Sequence, residues 1–397
     1  MFGGFVPAPR IRIRIRLSPA SATARARRTP AGRHPAAARS PRCPRRSVPA
    51  ITGRTLGAGT DVVLIVTGRV DRLGSTRRKE TVNSVVPAAR AARPAWRDVP
   101  ESTRASVQAR LTAPVVQALG QAGGFTPGAA SRLLLADGRR VFVKALPVDH
   151  PMADAYRAEA RVSAQLPVEA PAPRLLFTVE REWTALVFED VDGREPSLRP
   201  GSPDLAAVLA AVGGLARGLT PCPLSSVPAV LDDLGPLLQG WSALRAAPPE
   251  NLDPWAHTHL DSLVAMESAW HPWAEGDTLL HNDLRPDNMI RRLDGRIIVV
   301  DWARPARGAA WLDVAGLVPA LLMAGHEPRH AERLVIARPS LAGVPAWAVT
   351  GFAAALAGYW ERGRRLPEPA GAAGLRRFQA RAAVAALAWF RHRMRLS

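Results

Sequence analysis

His281-Asn282-Asp283-Leu284-Arg285-Pro286-Asp287-Asn288, followed by Asp301-Trp302, is the stretch on which the reading of this chain turns. Its core spacing is H-x-D-x-x-x-x-N, with a second Asp 13 residues after the Asn. Phosphoryl transfer needs this set of groups. One carboxylate must orient the attacking hydroxyl and accept its proton. One amide oxygen and one further carboxylate must hold a divalent cation on nucleotide phosphates, and hard oxygen ligands suit magnesium. Asp283 fits the first role, and Asn288 and Asp301 fit the second.

The flanks support that geometry. Thr278-Leu279-Leu280 is a short apolar run leading into the loop. After Asn288, the β-favouring runs Met289-Ile290 and Ile297–Val300 bracket Asp294-Gly295, a strong hairpin signal. The spacing predicts a tight hairpin that folds Asp301 back beside Asn288.

Composition marks a second residue. Of 53 Lys and Arg side chains, only Lys79 and Lys144 are lysine. A chain that writes Arg wherever a generic cation will serve keeps Lys144 inside the alternating strand pattern Arg140–Leu146. Arg and Lys are not interchangeable where a compact point charge is needed, and a phosphate clamp on a central strand is such a place. Fifteen residues on, Glu159 lies in the Ala-rich, helix-favouring stretch 153–162. There it can pair with Lys144 and aim it. Upstream, Gly123-Gly124-Phe125-Thr126-Pro127-Gly128 is a glycine-rich turn ahead of a strand-like run that ends at Asp137-Gly138. Such a turn can lay backbone N–H groups over phosphates, so Gly124 and Gly128 join the candidates. It is neither G-x-G-x-x-G nor a Walker loop.

These residues resemble the aminoglycoside phosphotransferase and choline-kinase-like family, relatives of the protein kinases. The resemblance runs over roughly 95–320 and is strongest at 279–315. It implies an α+β, two-lobed protein kinase-like fold, with a small antiparallel-sheet lobe and a larger, mainly helical lobe. His281, Asp283, Asn288 and Asp301 match the family loop and metal Asp, here with Trp302 in place of Phe-Gly. Many relatives carry Gly where this chain has Asn282. The resemblance further implies that Arg285 steadies the transferred phosphate and that Asp313 braces the loop. It places an interlobe linker at Leu186–Gly193, where backbone groups of Glu189 and Val191 would hold adenine. The implied cofactors are ATP, or GTP on the same site, and Mg2+. Protein kinases have a long activation segment; here Asp301 runs within ten residues into Ala309–Asp313, which favours a constitutively built site for a small-molecule hydroxyl acceptor.

The family lines its acceptor site with the region before the catalytic loop. In residues 231–280, Asp232, Asp233, Glu250, Asp253, Asp261, Glu267, Glu275 and Asp277 face only Arg245, and Trp241, Trp255, Trp270 and Trp273 lie among them. Acids with indoles suit an amine-bearing acceptor through charge attraction and cation–π contact.

The chain has 397 residues and a net charge of +19. Residues 1–92 carry 19 basic and 3 acidic side chains, so the excess sits in an Arg/Ala/Pro-rich extension. That extension lacks the apolar content to fold alone and is expected to be disordered, or to reflect a start assigned too early. Its charge could attract nucleic acid, but no aromatic interleaving supports that contact. No apolar run is long enough to span a membrane or to serve as a signal peptide. Two cysteines, Cys43 and Cys222, imply no disulfide framework, which fits a cytoplasmic setting.

The expected organisation is therefore an extension at 1–92, a nucleotide-binding lobe at 93–192 and a helical lobe at 193–397. Helices are predicted over Leu205–Leu219, parts of 228–270, 309–325, 346–363 and Leu375–Met394, the last with Phe378, Val384, Leu387 and Phe390 at helical spacing and expected to pack on the large lobe. The expected function is ATP-dependent transfer of the γ-phosphate to a hydroxyl of a small molecule, with amine-bearing acceptors of aminoglycoside-, amino alcohol- or sugar-like type among the candidates. The alternative is a non-catalytic, kinase-like nucleotide-binding protein recruited through its basic tail.

Overall fold

The computed structural model describes residues 93–395 apart from Ala122, so the expectations for 1–92 lie outside the described residues. The first lobe comprises α1 (Glu101–Leu111), β1 (Val115–Gly120), β2 (Ala129–Leu135), β3 (Arg140–Pro147), α2 (Ala153–Ser163), β4 (Leu175–Glu180) and β5 (Trp183–Glu189). Its five strands form one antiparallel sheet in the order β1-β2-β3-β5-β4. Asp137-Gly138 turns β2 into β3: Gly138 has φ 84°, and the Asp137 carboxylate accepts the Arg139 N–H at 3.0 Å.

Alternation along β3 decides which side chains reach the cleft. Val141, Val143 and Ala145 bury against α1 with Val107, Leu111 and Trp96. Phe142, Lys144 and Leu146 therefore point to the opposite face, because side chains on a strand alternate with period two. Lys144 pairs in register with Ala130 on β2 and Leu186 on β5. A one-residue slip would send it into the apolar layer.

The second lobe begins with α3 (Asp204–Gly218), which runs unbroken through Gly213-Gly214. It continues with α4 (Val230–Asp233), α5 (Gly240–Ala246), α6 (Pro254–Thr258), α7 (Leu260–Met266), β6 (Thr278–Leu280), β7 (Met289–Arg291), β8 (Ile297–Val299) and β9 (Ala306–Gly308). Then follow α8 (Trp311–Gly316), α9 (Val318–Met323), α10 (Pro328–Ile336), α11 (Ala346–Gly363) and α12 (Leu375–Arg393). The strands form two small ladders, β6–β9 and β7–β8. α5 crosses α11 closely enough that a Cβ on Gly240 would lie 2.1 Å from the backbone of Gly358.

The last helix packs on α11 and α9, as its apolar spacing implied. The buried stripe differs from the sequence reading, however. Val384 is 71% exposed, while Ala382, Ala386, Trp389 and Phe390 are buried. Both helices use alanine at the contact, so a stripe drawn through large side chains misplaces the face. Among the described residues no helix is long and apolar enough to cross a membrane.

Candidate active site

The short strand β6 delivers the catalytic loop, and two backbone positions shape it. Asn282 and Asp301 both adopt left-handed φ, 62° and 67°. Asn enters that region more readily than most residues. Held non-Gly conformations of this kind cost about 1–3 kcal/mol each and persist where the surroundings enforce them. Asp313 supplies part of that enforcement. Its two carboxylate oxygens accept the N–H groups of His281 at 2.7 Å and Asn282 at 2.9 Å.

His281 is buried and works through its ring. Its Nδ1 accepts the Asp283 N–H at 3.2 Å, and its Nε2 lies 3.0 Å from the Val300 carbonyl. With Nδ1 accepting, Nε2 is the ring nitrogen placed to donate to the Val300 carbonyl. Trp302 packs edge-on against the ring at 4.7 Å. The β7–β8 hairpin forms about Asp294-Gly295, with Met289 opposite Val299 and the Val300 N–H donated to the Asn288 carbonyl at 2.9 Å. Asn288 and Asp301 are thereby brought to one wall.

Asn288 donates from Nδ2 to the Asp283 carbonyl at 2.9 Å and to Asp283 Oδ2 at 3.0 Å. Both of those bonds use Nδ2, which leaves the amide oxygen on the other side of the group. Burial raises the pKa of Asp283, while the neighbouring Arg285 guanidinium opposes the shift. Arg285 holds Asp287 through Nε at 3.0 Å and Nη2 at 3.1 Å, and its Nη1 lies 3.3 Å from Asp283 Oδ1. Its guanidinium also lies over the rings of Phe125 and Phe378, at 5.6 and 5.3 Å, and the two rings pack on each other at 5.3 Å. All three of its nitrogens are thus engaged inside the loop, so Arg285 positions Asp283 in the structure as it stands.

Lys144 is buried between two carboxylates, Glu159 at 2.6 Å and Asp301 at 2.8 Å. Burial alone would lower its pKa, but the paired carboxylates outweigh it and the ammonium is stabilised. Burial likewise pushes Asp301 up, yet Lys144 and Arg285 bring it down to about 2. A cavity of about 320 Å³ opens against this cluster. Gly124, Lys144, Glu159, Glu189, Val191, Asn288 and Asp301 all line it. A larger cleft of about 960 Å³ opens on the other side of Asp283 and Arg285, and Asp301 borders both.

Two sequence expectations change on contact with these positions. Gly128 does not line the smaller cavity. A Cβ there would lie 2.6 Å from the Ala145 carbonyl and from the Tyr156 hydroxyl, so its glycine serves close packing of β2 on β3. The acids and indoles of 231–280 also go elsewhere. Trp241 and Trp270 are core. Glu267 is buried and accepts the N–H groups of Trp241 and Ser242 at 2.8 and 2.9 Å. Asp253 caps α6 through the Ala256 N–H at 3.0 Å. Of those acids and indoles only Asp233 borders the larger cleft, where Arg304 holds it at 3.0 and 2.9 Å.

Sequence reasoning missed Arg93. Its guanidinium donates to the Gly123 carbonyl from Nε at 3.0 Å and Nη2 at 2.6 Å, and to the Gly128 carbonyl from Nη1 at 3.0 Å. Both ends of the glycine-rich turn are thus tied to one side chain some 30 residues upstream, a contact no local motif announces. Arg132 was missed as well. It bonds the Val191 carbonyl and pairs through Nε with the buried Asp190 at 2.9 Å, while Arg140 reaches Asp190 at 3.2 Å. Among the described residues the Val191 N–H has no partner.

Residues 125–366 match the family model described as the phosphotransferase enzyme family. No curated protein matches the chain. Among solved structures, an aminoglycoside phosphotransferase from Alicyclobacillus acidocaldarius is 15% identical, over 71% of this chain and 92% of that one, with a TM-score of 0.47. A thermostable mutant of another aminoglycoside phosphotransferase, in ternary complex with AMP-PNP and hygromycin B, is 15% identical over 75% and 98%, with a TM-score of 0.48. A putative fructosamine-3-kinase from Thermobifida fusca is 22% identical over 72% and 98%, with a TM-score of 0.45. All three scores fall below 0.5, so membership rests on the family match. Because that match spans more than half of the 397 residues, the chain belongs to the phosphotransferase enzyme family.

Proposed function

We propose that this phosphotransferase moves the γ-phosphate of ATP to a hydroxyl of a small molecule. The observation that carries the reading is the convergence of Lys144, Asn288 and Asp301 on one wall, with Asp283 hydrogen-bonded to Asn288 at the mouth of the second cleft. Lys144 holds the α- and β-phosphates and Glu159 orients it. The unpartnered Val191 N–H donates to the purine ring. The acceptor hydroxyl loses its proton to Asp283 as its oxygen bonds phosphorus. The bond from phosphorus to the β-phosphate oxygen breaks, and ADP leaves. Arg285 keeps Asp283 in place and offsets charge on the loop.

Asn288 Oδ1 and the Asp301 carboxylate fit a magnesium ion. They are hard oxygen donors bordering the phosphate end of the cavity, and this ion commonly takes only one or two protein ligands beside water and phosphate. Among the described residues no cluster of three or more His, Cys, Asp or Glu offers a self-sufficient metal cage. When bound, the ion would neutralise phosphate charge. Retention of the whole set speaks against the non-catalytic alternative, which needs none of Asp283's proton chemistry. The test is ADP release from ATP, with GTP compared, over a panel of hydroxyl compounds. Absence of acceptor-dependent release together with absence of nucleotide binding would remove the reading.

Two outcomes follow. Arg93→Ala is expected to raise the KM for ATP about tenfold with kcat changed less than twofold. The turn over the phosphates loses three charge-assisted hydrogen bonds, each in a class worth roughly 1.5–3 kcal/mol. Steady-state kinetics check it, and an unchanged KM would free the turn from Arg93. A chain beginning at Ala92 is expected to fold, bind ATP and melt within a few degrees of the full chain. Among the described residues the first lobe's core begins at Trp96 and Val99, downstream of the proposed start. Insolubility of the shortened chain would move the boundary upstream.

A further inference from the structure

We infer that the acceptor is an uncharged, largely apolar hydroxyl compound rather than a polyamine; this deepens the phosphotransfer reading and rests on it. A polycation needs free carboxylates to replace the water it gives up. Four carboxylates border the larger cleft: Asp233, Asp283, Asp301 and Asp313. Each already has a partner. Asp233 is held by Arg304, and Asp301 by Lys144. Asp313 accepts two backbone N–H groups, and Asp283 faces Asn288 and Arg285. Three arginines, Arg161, Arg285 and Arg304, border the same space and repel ammonium groups.

The remaining wall is mostly carbon. Leu234 and Leu237 come from the end of α4 and the turn after it, and Leu356 and Tyr359 from α11. Phe378 of α12 closes the end nearest Arg285. At about 960 Å³ the cleft is at the upper end of the usual range for ligand pockets, enough for a bulky body. Burying such a body against leucine and aromatic side chains is favourable without any charge pairing. The product would be a phosphate monoester carrying that apolar body, with the phosphate left at Asp283.

The experiment uses the full chain with ADP present and the neutral fluorophore N-phenyl-1-naphthylamine as probe. Saturable binding is expected, weakened at least tenfold by Leu237→Asp, with no displacement by millimolar kanamycin. A melting curve checks the variant, and Leu237→Gln replaces it if the Asp form unfolds. No saturable binding, binding indifferent to both substitutions, or displacement by kanamycin would overturn the inference. Transfer assays add a second arm: octyl β-D-glucoside, below its micelle concentration, should be phosphorylated with at least tenfold higher kcat/KM than kanamycin. Faster transfer to kanamycin overturns the inference while leaving phosphotransfer intact. If neither compound accepts phosphate, the probe binding decides. Loss of nucleotide binding would instead sink the parent reading and is measured separately.

Discussion

Asp283→Asn is expected to stop phosphoryl transfer while nucleotide still binds. The side chain keeps its size but can no longer take the acceptor's proton. General-base loss lowers rates by roughly 10²–10⁴-fold, and at least that is expected in kcat with whichever acceptor serves the parent. Stability should hold within about 1 kcal/mol. Asn288 can still donate to the remaining carbonyl oxygen, and Arg285 retains its grip on Asp287. A coupled ADP assay reads the rate, and calorimetry with a non-hydrolysable ATP analogue reads binding. Turnover near the parent's would remove Asp283 from the mechanism.

Lys144→Arg should be nearly as damaging, although it keeps the charge. The ammonium is enclosed between Glu159 at 2.6 Å and Asp301 at 2.8 Å with only 8% of the residue exposed. A guanidinium is wider and planar, and it grips a carboxylate through two parallel bonds. It would hold Glu159 or Asp301 side-on and could not present one compact charge to two phosphates. Turnover at saturating acceptor is expected to fall well over tenfold, about 1.4 kcal/mol of transition-state stabilisation. Displacing Asp301 would also weaken the proposed magnesium site, so the magnesium concentration for half-maximal rate should rise. Parent-like kinetics and magnesium dependence would make Lys144 an ordinary strand cation.

The division between sequence and tertiary structure follows from the range of the forces involved. The loop 281–288, the Asp294-Gly295 hairpin and the period of β3 were legible because each depends on neighbours within a few residues: a turn residue that tolerates positive φ, or alternation across a strand. Helices at 205–219, 346–363 and 375–394 were legible for the same reason. So was Lys144, through the contrast with an arginine-rich composition. Partner choice for charged side chains was not legible. Arg93 reaches the glycine-rich turn across about 30 residues, Lys144 meets Asp301 across 157, and Arg304 neutralises Asp233 across 71. In the acid-rich segment 231–280, Asp253 caps a helix, Glu267 braces buried backbone and Asp233 meets Arg304 at the larger cleft, placements that the one-dimensional cluster of acids did not announce. Sequence alone singled out the groups proposed to perform the chemistry. Only the packing of distant elements decided which partner each of those groups takes in the cleft, because a charge is compensated by whichever group the fold brings within a few ångströms.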